Sequence, residues 1–421
     1  MVRNGRHGTC VLSITFGIDD RLTAFRIFLA SLAIIVVAPD ALAAPRKPLT
    51  DNEVLERLPQ RAADPVAREL GELRAAAASA STNPVPAARL AQAYFDLALA
   101  RGDPRYVGYA EAVVARFGEP LPPSLRQVRG LLRQYRHDFD GALADFAAVV
   151  ASDPELADAH AWRAAIFLVR ADYGAAEQEC VNLERLARKG QAGGCRGLAL
   201  AYGGRLDAAA LVLQTALESS RDPGNRLWLL TRLGEVAAWR GKPALAERHF
   251  REALRLGRDD VYLLAAWGDF LLDSGRHGEV LKDLAGWEAA DSLLLRLAEA
   301  ETSLGGANAA RLTQALADRF AAARARGDDT HMAEEARFRL RLRNDAGEAL
   351  RLAAENYRVQ REPRDARILL EAAIAAGDAA AAKPVRDWLT SSGFEDARLR
   401  DLDQKLCNAV SPCGTALVIR R

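Results

Sequence analysis

Histidine and cysteine are the residues of this chain whose side chains most readily carry catalytic or metal chemistry, and their spacing favours neither. The chain has six histidines and five cysteines in 421 residues. No two histidines stand at metal-ligand spacing with a carboxylate, and there is no H-E-x-x-H, C-x-x-C, G-x-S-x-G or Walker motif. Glycine pairs at 193–194, 203–204 and 305–306 lack the flanking strand that a nucleotide site needs. We therefore predict a protein that is not an enzyme and has no cofactor and no metal site.

Four of the cysteines form two pairs with short spacing. Cys180 ends one predicted helix and Cys195 begins the next, so a bridge between them is plausible in an oxidising compartment. It would close a loop of about 15 residues and stabilise the fold by about 3 kcal/mol in the chain-entropy model. The alternative is two free cysteines packed as small core residues. Cys407 and Cys413 are a second candidate pair, in the C-terminal tail.

The first 43 residues have the pattern of a secretory signal peptide. Arg21 and Arg26 precede an apolar run at 27–38, and the sequence A-L-A follows it and ends at Ala43. An apolar run of this length is too short for a membrane-spanning helix, which needs about 20 residues. We predict cleavage after Ala43, export to the periplasm, and no stable membrane insertion of the mature chain.

The charge balance argues against nucleic acid as a partner. The chain has 57 Lys and Arg residues against 56 Asp and Glu residues, a net charge of +1. A balanced chain offers no general electrostatic attraction to nucleic acid or to anionic membranes. Half of the residues are hydrophobic, and the abundance of Ala, Leu and Arg favours helices.

Residue types recur every 34 positions in the rest of the chain. Small residues at places eight and twenty let two antiparallel helices approach, a large apolar residue at place twenty-four fills the gap, and a glycine near place fifteen makes the turn. One such hairpin cannot bury its apolar face alone, so we expect neighbouring hairpins to stack. The clearest repeated series is Leu233-Gly234, Gly241, Ala246, Phe250 and Ala253, followed 34 residues later by Trp267-Gly268, Gly275, Val280, Leu284 and Trp287.

This pattern resembles the tetratricopeptide repeat family, most clearly at 227–260. The resemblance covers about residues 86–390, or roughly nine units of the family's period. It implies an all-α, right-handed superhelical solenoid of antiparallel helix pairs. Around the solenoid we predict a loosely ordered lead segment at 44–64, a capping helix at 65–85, and a C-terminal cap helix and tail at 391–421.

The resemblance also implies a partner-binding groove, because in this family the first helix of each unit lines the concave face. Aromatic side chains among polar ones are typical of protein-binding surfaces. The alternative is that several of these aromatic residues pack between helices. The candidate groove residues are Trp228, Trp239, Tyr262, Tyr202, Tyr135, Glu235 and Asp269.

Arginine alternates with apolar residues at 336–343. We predict that Arg337 and Arg341 cover the outer face with their aliphatic stems and keep their charged ends in water, and that Arg398 and Arg400 do the same. The alternative is an anion site.

The sequence thus predicts a non-enzymatic scaffold or adaptor in the cell envelope that binds one or more envelope proteins in its concave groove. An alternative is an accessory subunit of an envelope enzyme or transporter, whose groove holds a saccharide or a small solute. A third interpretation is a scaffold that only self-associates through its end caps. The sequence leaves the partner's identity and the oligomeric state open.

Overall fold

The computed structural model describes residues 64–328 and 330–409, and all regular structure in these ranges is helical. The predicted signal peptide, the lead segment before Asp64 and Cys413 lie outside the described residues. The helices are α1 Pro65–Ser79, α2 Pro84–Arg101, α3 Arg105–Val114, α4 Pro123–Tyr135, α5 Phe139–Ser152, α6 Ala157–Val169, α7 Tyr173–Arg185, α8 Lys189–Tyr202, α9 Leu206–Ser219, α10 Pro223–Trp239, α11 Pro243–Leu254, α12 Val261–Asp273, α13 His277–Asp283, α14 Asp291–Leu304, α15 Ala309–Ala325, α16 Met332–Leu342, α17 Ala346–Val359, α18 Pro363–Ala376, α19 Lys383–Ser392 and α20 Ala397–Ala409.

The helices from α2 to α19 pair in chain order into nine hairpins within the described part of the chain. Most hairpins pack closely within themselves, and each first helix also contacts the first helix of the next hairpin. Helix α1 packs on α2, and α20 packs on α18. This arrangement confirms the predicted all-α solenoid of about nine helix pairs.

Local sequence signals set the helix ends. Asp64, Asn83 and Asp222 accept hydrogen bonds from the first backbone N–H groups of α1, α2 and α10, and a proline follows each of them at the first helical position. At the other end, α14 and α18 stop at Gly305 and Gly377, which adopt left-handed backbone conformations.

The core runs along the stack of hairpins. Trp267, Phe146, Phe250 and Phe320 are among its largest fully buried side chains. Leucine and alanine fill most of the remaining buried positions, so the stability of each hairpin depends on its neighbours.

The second half of the chain (α13–α20) returns to the first half (α1–α12). The backbone N–H of Arg361, just before α18, donates to the carbonyl of Val169 at the end of α6, at 2.7 Å. The indole N–H of Trp388 on α19 donates to the hydroxyl of Tyr173 on α7, also at 2.7 Å. Residues far apart in the sequence therefore line a shared interior.

Candidate protein-binding cleft

A cleft of about 450 Å³ lies between the two halves of the chain. Helices α10 and α12 form one side, and the first turns of α18 and α20 form the other. Its apolar lining includes Trp239, Phe270, Ala265 and Pro363. Trp239 and Phe270 are half-buried, so both rings keep surface that a ligand can contact.

Tyr262 joins α12 to α10 at one end of the cleft. Its hydroxyl donates to Glu235 Oε1 at 2.7 Å, and the guanidinium of Arg232 lies 4.2 Å from the centre of its ring. Arg232 also donates to Glu235 at 2.9 Å. Burial raises the pKa of Tyr262 well above its usual value, so the phenol stays neutral and acts as a hydrogen-bond donor.

Asp269 also lines the cleft and holds two arginines. Arg296 donates to its Oδ2 at 2.5 Å, and Arg337 donates to its Oδ1 at 2.7 Å. Arg337 also forms two hydrogen bonds with Glu299, at 2.6 and 2.7 Å. Burial alone would raise the pKa of Asp269, but the two arginines hold it well below its ordinary value. The carboxylate therefore stays ionised.

Asp273 connects the two sides of the cleft. Arg367 on α18 donates to both of its carboxylate oxygens, at 2.8 and 2.9 Å. Arg398 on α20 donates to Oδ2 of the same carboxylate. A single aspartate at the end of α12 thus pairs with arginines from two helices of the second half.

Four of the seven predicted groove residues converge on this cleft: Trp239, Tyr262, Glu235 and Asp269. Tyr135 instead lines a neighbouring cavity of about 300 Å³, which Asp269 also reaches. Trp228 lies in neither cavity. It packs against Gly194 of α8, where a Cβ would lie 1.9 Å from the indole ring.

The prediction that Tyr202 lines an open groove is wrong, because its side chain is only 3% exposed. The ring packs 6.0 Å from Trp239, and its hydroxyl donates to Glu362 at 3.4 Å. Helix α18, which begins next to Glu362, covers a surface that the repeat pattern assigned to the concave face.

The prediction that the guanidinium groups stay in water is also wrong for Arg337 and Arg341. Arg337 pairs with Asp269 and Glu299 as described above, and Arg341 donates to both oxygens of Glu371 at 2.7 and 2.9 Å. The alternating pattern placed both residues on a helix surface correctly. It carried no information about the carboxylates on the neighbouring first helices.

Sequence reasoning missed Phe270, Arg364, Arg367 and the cleft role of Arg398. Phe270 follows the place-eight glycine of its unit by two residues and stacks on Trp267 at 5.6 Å. The available signal was its position directly after Asp269, a predicted groove residue. The three arginines gave no such signal, because they reach the cleft only through the return of the second half.

The described part of the chain contains a disulfide between Cys180 and Cys195, whose Cα atoms are 5.5 Å apart. It joins the second helix of one hairpin (α7) to the first helix of the next (α8). Cys407 is also disulfide-bonded. Within 64–328 and 330–409, no helix is long and apolar enough to cross a bilayer, and no three His, Cys, Asp or Glu side chains gather in a group suited to a metal ion.

The same internal contact recurs from hairpin to hairpin. A Cβ added to Gly130 would lie 2.7 Å from Phe146, and one added to Gly234 would lie 2.7 Å from Phe250. Gly197 has the same relation to Leu213, at 2.5 Å. In each case the glycine at place eight of the first helix receives the large residue at place twenty-four of the second.

The described residues form an all-α repeat solenoid whose hairpin packing is the one that the tetratricopeptide resemblance predicts.

No family model and no curated protein matches the chain. Among solved structures, it is similar to PilF of Pseudomonas aeruginosa, with 22% identity, 46% of this chain and 90% of that chain covered, and a TM-score of 0.36. A tetratricopeptide repeat protein from Parabacteroides merdae is 17% identical, with 60% and 91% covered and a TM-score of 0.40. The Cut9–Hcn1 hetero-tetramer of the APC/C is 14% identical, with 73% and 59% covered and a TM-score of 0.42. These TM-scores are low, so the fold follows from the hairpins themselves.

Tetratricopeptide-type solenoids present long surfaces formed by consecutive first helices, and such surfaces bind other proteins. In this solenoid the surface is narrowed by the second half of the chain. Accessible parts of that surface include the cleft, with Trp239 and Phe270 on its apolar side and arginine–carboxylate pairs around it, and the neighbouring cavity lined by Tyr135.

Proposed function

We propose that this solenoid is a non-enzymatic scaffold or adaptor of the cell envelope, and that it binds a segment of a partner protein in the cleft between α10, α12, α18 and α20. The observation that carries the proposal is the convergence of Trp239, Tyr262, Glu235 and Asp269 on that one cleft. Tryptophan, tyrosine and arginine dominate the binding energy of most protein interfaces.

The size of the cleft indicates how the partner binds. A volume of about 450 Å³ lies within the range of sites that hold a small ligand or a few side chains. The partner would therefore insert a short segment rather than dock a whole domain. An apolar side chain of that segment would contact Trp239 and Phe270, and polar groups around it would fix the register.

The envelope location rests on the signal-peptide pattern of residues 1–43. N-terminal sequencing of the chain recovered from a periplasmic fraction tests it. We expect a mature N-terminus at Ala44. An intact N-terminus in the cytoplasmic fraction would contradict the proposed location and leave the cleft unaffected.

Cross-linking in intact cells, followed by purification of a tagged chain, tests the proposed binding. Trp239→Ala removes an aromatic anchor of the cleft, and Trp287→Ala is a matched control because Trp287 is half-buried outside it. We expect the native chain and the control to capture the same envelope protein, and Trp239→Ala to capture at least tenfold less, as for a typical hot-spot residue. Equal capture by all three proteins would show that binding occurs elsewhere.

A chain that captures no protein would favour the alternative that the cleft holds a saccharide or small solute. Trp239 and Phe270 would then stack on the ligand. Titration of purified protein with oligosaccharides, monitored by tryptophan fluorescence, separates the two functions, because the response would disappear in Trp239→Ala.

A further inference from the structure

Residues 359–398, which we call the closing segment, contact the first half of the solenoid at several separate points. Besides the bonds from Arg361 to Val169 and from Trp388 to Tyr173, the ring of Phe394 lies edge-on to Trp239 at a centroid distance of 5.4 Å. Trp239 is the aromatic residue that the proposed partner would use. Phe394 of the same chain therefore already covers part of the surface of the Trp239 ring.

The closing segment also forms one side of the cleft. Arg367 and Arg398 reach across it to Asp273, and Arg364 lies 5.6 Å from the ring of Tyr262. The Arg398 side chain is 44% exposed, so water and salt reach this cluster. The closing segment also approaches the turn after α8 closely at Gly204, where a Cβ would lie 2.3 Å from the carbonyl oxygen of Gly393.

These contacts differ in kind from those inside the hairpins. Within a hairpin, continuous rows of leucine, alanine and phenylalanine are buried. Between the closing segment and the first half, the buried rings of Trp388 and Phe394 contact Tyr173 and Trp239. Separate ion pairs join Arg367 and Arg398 to Asp273. The ion pairs at Asp273 are the water-accessible part of this interface, and exposed ion pairs hold less strongly than buried apolar contacts, so the interface opens most readily there.

We infer that the closing segment is an autoinhibitory latch: it occupies one side of the cleft in the free protein and must shift before a partner segment binds fully. The autoinhibitory role rests on the proposed function, whereas the movement of the segment does not depend on any partner. Asp273 is the fastening point, because one carboxylate holds two arginines of the segment.

The backbone amide of Arg361 reports opening directly, because it donates to Val169 across the interface. The neighbouring amide of Gln360 donates to Asn356 within the end of α17 and serves as an internal control. Residue-resolved hydrogen exchange on the full chain measures both. Asp273→Asn leaves two arginines without their carboxylate, so we expect the Arg361 amide to exchange about tenfold faster while Gln360 and core amides of α12 keep their rates.

Glu247→Gln is the matched control, because Glu247 also pairs with two arginines, Arg251 and Arg276. Both of these arginines lie outside the closing segment, in the same repeat unit or the next one. It should leave the Arg361 amide unchanged. Tyr173→Phe is a second test, because it keeps the phenyl ring and removes only the hydroxyl that accepts the N–H of Trp388. It should also accelerate exchange at Arg361.

The latch is overturned if Asp273→Asn and Tyr173→Phe leave exchange of the Arg361 amide unchanged, if Glu247→Gln accelerates it equally, or if core amides accelerate with it. The autoinhibitory role has its own test. Asp273→Asn should capture several times more of the partner protein than the native chain, and equal capture would overturn the role while cleft binding stands. If exchange behaves as expected and no variant captures a protein, the latch stands and the proposed function fails.

Discussion

The ring of Phe250 occupies the space where a Cβ on Gly234 would stand, with ring atoms 2.7–2.8 Å from that position. This contact brings α10 and α11 together and repeats in other hairpins. Gly234→Ala should therefore lower the free energy of unfolding by about 1–2 kcal/mol, because overpacking outweighs the gain in helix propensity.

Gly71→Ala is the control for that substitution. Gly71 lies inside α1, and apart from its chain neighbours and the backbone of its own helix no atom lies within 4 Å of an added Cβ. Here the better helix propensity of alanine should raise stability by about 0.5–1 kcal/mol. Chemical denaturation measures both variants, and a stabilised Gly234→Ala protein would contradict the packing described.

Ala171 sits in the turn between α6 and α7 with a φ of 60°, where most of the other hairpins have glycine. Ala171→Gly relieves a conformation that L-residues avoid, and we expect a net gain of about 0.5 kcal/mol after the added freedom of the unfolded chain is subtracted. Gly241 has a φ of 67° with open space around it, so Gly241→Ala should change stability in the opposite direction. Thermal unfolding of both variants checks the pair, and changes of the same sign would refute the argument.

The Cys180–Cys195 disulfide closes a loop of 15 residues between two hairpins. We expect the Cys180→Ala, Cys195→Ala double variant to lose about 3 kcal/mol of unfolding free energy relative to the oxidised native chain, mainly through a freer unfolded state. Urea denaturation of both proteins under oxidising conditions measures the difference. A loss below about 1 kcal/mol would mean that the crosslink restricts the unfolded chain far less than its loop length suggests.

Asp365 is buried at the start of α18, where it accepts hydrogen bonds from Asn356 at 2.9 Å and from the backbone of Glu362 at 3.1 Å. Burial raises the pKa of Asp365 from 3.8 to about 7, with Arg364 acting against the shift and Glu362 adding to it. Because the folded state favours the protonated acid, this stabilisation is complete below about pH 4 and is lost as the pH rises through 7.

Asp365→Asn keeps a neutral side chain at every pH. Its Tm relative to the native chain should therefore increase between pH 5 and pH 8. Asp387→Asn, at an exposed ion pair with Lys383, is the control and should show a nearly constant difference. A constant difference for Asp365→Asn as well would argue against a protonated Asp365.

The hairpins could be predicted from the sequence because their contacts are local and periodic. Gly234 and Phe250 are 16 positions apart, and the same spacing recurs in several units. The repeat pattern also predicts the correct helix for Trp239, Tyr262 and Asp269, because the position of a residue in its 34-residue unit determines where it lies on the first helix.

The rest of the cleft could not be predicted, because it depends on contacts between residues more than 90 positions apart. Arg367 is 94 residues from Asp273, and Glu362 is 160 residues from Tyr202. A repeat pattern describes each unit and its neighbour, and it contains no information on where the second half meets the first. For that reason the repeat pattern places Tyr202 on an open surface, although its hydroxyl donates to Glu362.

The most direct test of the cleft as the binding surface is photo-cross-linking in intact cells from single positions. A photoreactive phenylalanine analogue at Phe270 lies in the cleft, and one at Leu211, which is 70% exposed on α9, lies outside it. We predict a discrete cross-linked envelope protein from position 270 that is absent from position 211 and is lost when Trp239→Ala is added. The same product from position 211, or a product from position 270 that survives Trp239→Ala, would contradict binding in the cleft.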